Sequence, residues 1–87
     1  MYTIAVRTKA ARQLKKLAKK HPNDIAAIEA GITSLENWPD MKNVKQLTSQ
    51  PYQYRLRVGK FRILFDVETT VKVVSVEEAK RRDENTY

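Results

Sequence analysis

Residues 53–67 read QYRLRVGKFRILFDV, two period-two runs meeting at Gly59-Lys60. Glycine at the first position of a two-residue loop is the signature of a type II′ hairpin, because that position needs positive φ. A loop of this length fixes the register: Val58 faces Phe61, Arg57 faces Arg62, Leu56 faces Ile63 and Arg55 faces Leu64. Side chains alternate across a strand, so Tyr54, Leu56, Val58, Phe61, Ile63 and Phe65 form one apolar face. Arg55, Arg57 and Arg62 share the other. Arg57 and Arg62 stand directly opposite, a pairing that destabilises a sheet when nothing neutralises it. A local rule broken without local gain marks a candidate functional site.

Downstream of the hairpin, Glu68-Thr69-Thr70 reads as a turn and 71–76 (VKVVSV) as a third strand. The tail 77–87 (EEAKRRDENTY) reads as too polar for core; it carries Lys80, Arg81, Arg82 and Tyr87. Upstream, residues 39–51 read as a loop with a short strand near Val44–Leu47. In 22–37, Ile25, Ile28, Ile32 and Leu35 have helical spacing, and His21-Pro22 separates this helix from another over 9–20, with Thr8 as its N-cap. There Ala10, Leu14, Leu17 and Ala18 oppose Arg12, Lys15, Lys16, Lys19 and Lys20. Residues 2–7 alternate as a first strand. The order is β-α-α-β-β-β: an α+β fold in which a helical hairpin covers one face of a small, mostly antiparallel sheet, with residues 1–87 as one domain.

Composition narrows the chemistry. Eighty-seven residues allow one compact domain. Without cysteine and with one histidine, His21, the chain offers no disulfide framework and no Cys- or His-based metal site, so neither metal nor cofactor is expected. His21 reads as a partner of the helix dipole. No apolar run is long enough for a membrane span or signal peptide, so the expected location is the cytoplasm, with no membrane partner. A formal charge of +7 points to a polyanionic partner. Guanidinium groups bind phosphate bidentately and stabilise charge developing on it. Arg55, Arg57, Lys60, Lys80, Arg82, Lys15 and Lys19 are the candidate RNA-binding residues. RNA permits metal-free cleavage because its 2′-hydroxyl can attack the adjacent phosphate; DNA offers no such route.

The element order, the hairpin YRLRVGKFRILFDV and the ending EEAKRRDENTY resemble the RelE/ParE toxin superfamily of toxin–antitoxin systems, most closely its RelE branch. The resemblance spans essentially the whole chain. It implies a ribosome-dependent endoribonuclease that cuts messenger RNA in the A site, is neutralised by a cognate antitoxin, and meets operator DNA only through the antitoxin complex. It also implies a catalytic set. The family's basic residues on the first hairpin strand fall on Arg55 and Arg57, its second-strand arginine on Arg62, its arginine after the last strand on Arg81 and its C-terminal tyrosine on Tyr87. Well-studied RelE toxins carry lysines where Arg55 and Arg57 stand, and arginine does not deprotonate in proteins. The proton acceptor then falls to another group; Tyr87 is one candidate, since nearby guanidinium groups favour its phenolate, and stacking on a base is its other role. A ParE-like inhibitor of DNA gyrase, without nuclease chemistry, is the alternative on the same fold.

Overall fold

In the computed structural model, which describes residues 1–82, two helices pack on one face of a five-stranded mixed sheet. The elements are β1 (Thr3–Val6), α1 (Thr8–Lys20), α2 (Ile25–Ser34), β2 (Val44–Gln46), β3 (Tyr54–Val58), β4 (Phe61–Glu68) and β5 (Val73–Arg81), with a 3-10 turn at Leu35–Asn37. The sheet order is β1-β5-β4-β3-β2. Strands β2 to β5 form an antiparallel meander, and β1 adds to β5 in parallel, Thr3 opposite Val73. The hairpin has the expected register, Val58 opposite Phe61 and Arg57 opposite Arg62. Gly59 has φ of 55° and Lys60 is not among the positive-φ residues, as a type II′ turn requires.

Three boundaries differ materially from the sequence reading, whereas the expected short strand is present. Thr8 is the first residue of α1 rather than its cap, and Arg7 holds the cap position without a side-chain cap bond. The reason is that β1 runs directly into the helix. The Arg7 amide donates to the Val76 carbonyl at 2.9 Å and its Nε donates to Ser75 Oγ at 2.6 Å, so the sheet itself sets the start of α1. Helix α2 begins only at Ile25, because Pro22–Asp24 form a turn closed by the Asp24 amide on the His21 carbonyl. The short strand is real and lies outside β3. The last strand occupies 73–81 rather than 71–76. Residues 69–72 form the turn, with Lys72 at φ 55°, and the polar segment beyond Val76 continues the sheet, Glu78 8% and Ala79 1% exposed.

Strand β5 outruns β1, whose last pair is Val6 with Val76. Beyond that point the Gln13 side chain of α1 stands in for a strand. Its Oε1 accepts from the Ala79 amide at 2.8 Å while its Nε2 donates to Glu78 Oε1. A β-bulge accompanies this stretch. Leu64 pairs with Glu78 but Phe65 pairs with Val76, leaving Glu77 as the extra residue. A bulge reverses the alternation beyond it. Ala79 therefore joins the helix-side core, while Glu78 and Lys80 point to the helix-free face, with Lys80 opposite Arg62.

The core between helices and sheet centres on Phe65, Ile63, Ile28, Leu35, Val74 and Val76. Phe65 stacks on Tyr54 and meets Trp38 edge-on, both at centroid distances of 5.5 Å. Gly31 brings α2 against β3: a Cβ there would lie 2.7 Å from Val58 Cγ2. A β-branched side chain on a strand cannot swing away freely. Gly31→Ala is expected to destabilise the fold by ~1–3 kcal/mol despite its better helix propensity. Urea midpoints check this, and Val58→Ala in the same chain should recover part of the loss.

Candidate nucleic-acid interface

Arg57 on β3, Arg62 on β4 and Lys80 on β5 form one row of cations across three adjacent strands of the helix-free face. Arg55 lies in the next row, between Lys45 of β2 and Leu64 of β4. Neighbouring Cβ atoms in such a row are ~5 Å apart. At the hairpin end, the Arg82 amide donates to the Lys60 carbonyl at 2.7 Å, and Arg62 Nη2 donates to the Arg82 carbonyl at 3.3 Å. Lys60, Arg62, Arg81 and Arg82 line a shallow hollow of about 410 Å³ there. Arg81 is opposite Phe61, on the helix side of the pleat, and meets the hollow from the strand end. The cations thus form a row and a hollow that share Arg62.

Electrostatics within the cluster are unfavourable. Desolvation lowers the Arg55 pKa, and the charges of Arg57 and Arg82 lower it further. Arg62 is lowered by desolvation and then by Arg55, Arg82 and Arg57. Both remain charged, because a guanidinium keeps its proton in proteins. Among the described residues, Asp66 and Glu77 bond to groups outside the arginine cluster. Asp66 Oδ1 accepts from the Gln53 amide at 2.8 Å, and Gln53 Oε1 in turn accepts from the Val67 amide at 2.7 Å, which fixes the start of β3 against β4. Glu77 accepts from Ser75 Oγ and pairs with Arg7. Arg55 Nε is buried with no hydrogen-bond partner among the described residues. A guanidinium cluster of this kind is a site built for an anion.

One buried carboxylate borders the row, and sequence reasoning did not single it out. Glu78 sits opposite Leu64, two residues before Lys80. Lys9 Nζ reaches its Oε2 at 3.3 Å, Lys80 Nζ and Gln13 Nε2 reach its Oε1, and its titration is coupled to that of Tyr52. Burial by itself raises the Glu78 pKa; hydrogen bonds from Tyr52 and Gln13 and the charge of Lys80 outweigh it, and the carboxyl titrates below its ordinary 4.5. Tyr52 is pushed up to about 12, first by its hydrogen bond to Glu78 and then by burial. It therefore stays a phenol. A carboxyl depressed in the folded state contributes stability that is complete above its unfolded pKa and is lost as pH falls through the folded value. Thermal melting is expected to show a loss of stability below about pH 4.5 that is smaller in Glu78→Gln. Glu78 had no signal in the sequence because its four partners come from α1, from the segment before β3 and from β5.

Along α1, Lys19 lines a groove of about 310 Å³ against β5, with Lys16, Lys20, Gln13, Leu17, Ala79 and Lys80. Lys15 is exposed and is not part of that lining. His21 occupies the C-cap position of α1 and packs edge-on against Phe61 at 5.1 Å. Tyr87 lies outside the described residues. Among the described residues no group of three His, Cys, Asp or Glu side chains could hold a metal ion. No described helix is long and apolar enough to cross a membrane.

Residues 4–83 match the family model described as the ParE toxin of the type II toxin–antitoxin system, parDE. The chain belongs to the RelE/ParE superfamily of type II toxins. No protein of curated function matches its sequence significantly. Among solved structures, the RelBE2 toxin–antitoxin complex from Mycobacterium tuberculosis is similar at 25% identity and a TM-score of 0.76, over 93% of this chain and 98% of the other. The archaeal RelE–RelB complex from Pyrococcus horikoshii shares the fold at 24% identity and a TM-score of 0.65, covering 97% and 98% of the two chains. The isolated Escherichia coli RelE toxin shares it at 15% identity and a TM-score of 0.76, covering 98% and 88%. Two helices on a five-stranded mixed sheet are thus the superfamily's fold, and the cationic row lies on the face that the two helices leave uncovered.

Proposed function

We propose that this RelE/ParE toxin is a ribosome-dependent endoribonuclease that cuts messenger RNA in the A site. The row Arg57–Arg62–Lys80, with Arg55 beside it on the same face of the sheet, is the observation that carries the reading. In the reaction the RNA 2′-hydroxyl loses its proton to a base and its oxygen attacks the adjacent phosphorus. The 5′-oxygen of the next nucleotide leaves with a proton, giving a 2′,3′-cyclic phosphate and a 5′-hydroxyl; this route uses no metal. Arg57 and Arg62 hold the phosphate and stabilise the charge that develops on its oxygens. Arg55, Lys60, Lys80 and Arg82 bind the flanking backbone, and Arg81 meets the leaving side from the hollow. Tyr87 is the proposed proton acceptor. Lys15 and Lys19 lie on the helix that faces ribosomal RNA in this scheme. The ribosome supplies orientation, since ångström-scale misplacement costs orders of magnitude in rate.

By analogy with the solved complexes of the similar RelE proteins, a cognate antitoxin neutralises this toxin, and operator DNA is met through that pair. The matching family model is described by its ParE member, which favours a second reading: a gyrase inhibitor without nuclease chemistry. A translation reaction in vitro separates the two. Arrest with A-site cuts and intact naked mRNA supports the nuclease; DNA breaks with uncut mRNA support gyrase inhibition.

A further inference from the structure

Arg57, Arg62 and Lys80 stand side by side on three adjacent strands, and like charges at that spacing repel. A guanidinium is a rigid fork, whereas an ammonium rides on a flexible four-carbon stem. Lys80 is also the end of the row: β1 stops at the Val6–Val76 pair, so among the described residues no strand flanks β5 there. Repulsion from Arg62 favours a stem that swings off the sheet into solvent. The structure holds it back. Lys80 Nζ lies 3.5 Å from Glu78 Oε1, and the two side chains are only 18% and 11% exposed. Glu78 stands two residues earlier on β5, opposite Leu64, so the contact folds the lysine back along its own strand. The carboxylate is anchored in turn from α1, by Gln13 Nε2 on the same Oε1 at 3.4 Å and by Lys9 Nζ on Oε2 at 3.3 Å. A carboxylate is an odd neighbour for a polyanion site, since its charge opposes the ligand and its burial is costly. Joining α1 to β5 does not require it, because the Ala79 amide already donates to Gln13 Oε1 at 2.8 Å. What it adds is a fixed place for the Lys80 ammonium.

We propose that Glu78 is the positioning residue for Lys80, holding its ammonium on the helix-free face as the third cation of the RNA phosphate site. An ammonium has three donors. Glu78 takes one and leaves the others for phosphate oxygens, so the pair orients the lysine without blocking it. Restricting the stem before RNA arrives also reduces the freedom that binding has to remove. The bulge belongs to the same arrangement: by reversing the alternation after Val76 it puts carboxylate and ammonium together on the face of the arginines. The inference rests on the nuclease reading for its substrate, and it adds to that site a residue that touches no RNA itself.

Two effects of Glu78→Gln on RNA binding have opposite signs. Removing a negative charge beside the cations tightens binding of any polyanion, whereas releasing Lys80 weakens it. With a fluorescein-labelled single-stranded RNA hexamer at fixed salt, Glu78→Gln is expected to raise the Kd about threefold. Lys80→Ala should weaken binding too and lower the slope of log K against log salt by about 0.7. In the Lys80→Ala background Glu78→Gln has no lysine to release, so there it should tighten binding. Should Glu78→Gln fail to fold, Glu78→Asp keeps the charge but falls one methylene short of Lys80, and it is expected to weaken binding only while Lys80 is present. Urea midpoints establish that each variant is folded at the assay temperature. Unchanged or tighter binding by the single Glu78 variant, or an equal loss with and without Lys80, overturns the positioning role. Because the assay contains no ribosome, its outcome is separate from that of the cleavage reading. Uncut mRNA alongside the expected reversal of sign removes the nuclease and keeps the positioning role, whereas A-site cutting without the reversal does the opposite.

Discussion

Arg62→Ala is expected to lower A-site cleavage ~10²–10³-fold while leaving the melting temperature unchanged or slightly higher. Arg62 is the residue shared by the row and the hollow, and it stands directly between Arg57 and Lys80. In the proposed site its removal takes away a donor to the scissile phosphate, and it also relieves repulsion among like charges. An ordinary structural arginine would behave in the opposite way, losing stability first and activity only in consequence. Single-turnover cleavage on programmed ribosomes, together with a thermal melt, separates the two cases. A variant that melts several degrees lower and still cuts would place the site elsewhere.

Phe65→Ala is expected to destabilise the fold by ~3–5 kcal/mol, measured as a shift in urea midpoint at constant slope. Phe65 is fully buried, stacks on Tyr54 and takes Trp38 edge-on. Its ring joins the helix side of β4 to the segment after α2, so truncation leaves a cavity that neither side can readily fill. A domain of this size has on the order of 4–13 kcal/mol in total, and the variant should be partly unfolded at 37 °C. Phe65→Leu, which keeps most of the volume, should cost far less. Activity is lost here through population of the unfolded chain, so lowering the temperature or adding a stabilising osmolyte restores it. Neither rescues Arg62→Ala.

The parts of this molecule that were legible in the sequence are those decided by near neighbours. Gly59-Lys60 dictates a two-residue turn, and the turn dictates that Arg57 meets Arg62. The helical spacing of Ile25, Ile28 and Ile32 survives as α2. What the residues did not disclose depends on distant partners. The segment after Val76 looks like a solvated tail because EEAKRR has no apolar alternation; it is a strand because β4 pairs with it and Gln13 covers its other edge. The bulge at Glu77 is equally silent in the sequence, yet it decides that Lys80 rather than Arg81 faces Arg62. Glu78 reads as an ordinary surface acid until Lys9, Gln13, Tyr52 and Lys80 converge on it. The arginines of the candidate site are legible because they break a pairing rule.

Gln13 bears on how copies of this protein behave toward one another. A strand edge with free amides and carbonyls is a template on which other chains can polymerise. Over the last residues of β5 the amide of one glutamine occupies that template at Ala79, beside the apolar patch of Leu17 and Ala79 and ringed by Lys16, Lys19 and Lys20. The lysines repel a second copy at long range, and the glutamine denies it a hydrogen-bonding register at short range. Colloidal stability at this edge therefore depends on both devices together: high salt screens the first, and loss of the Gln13 amide removes the second.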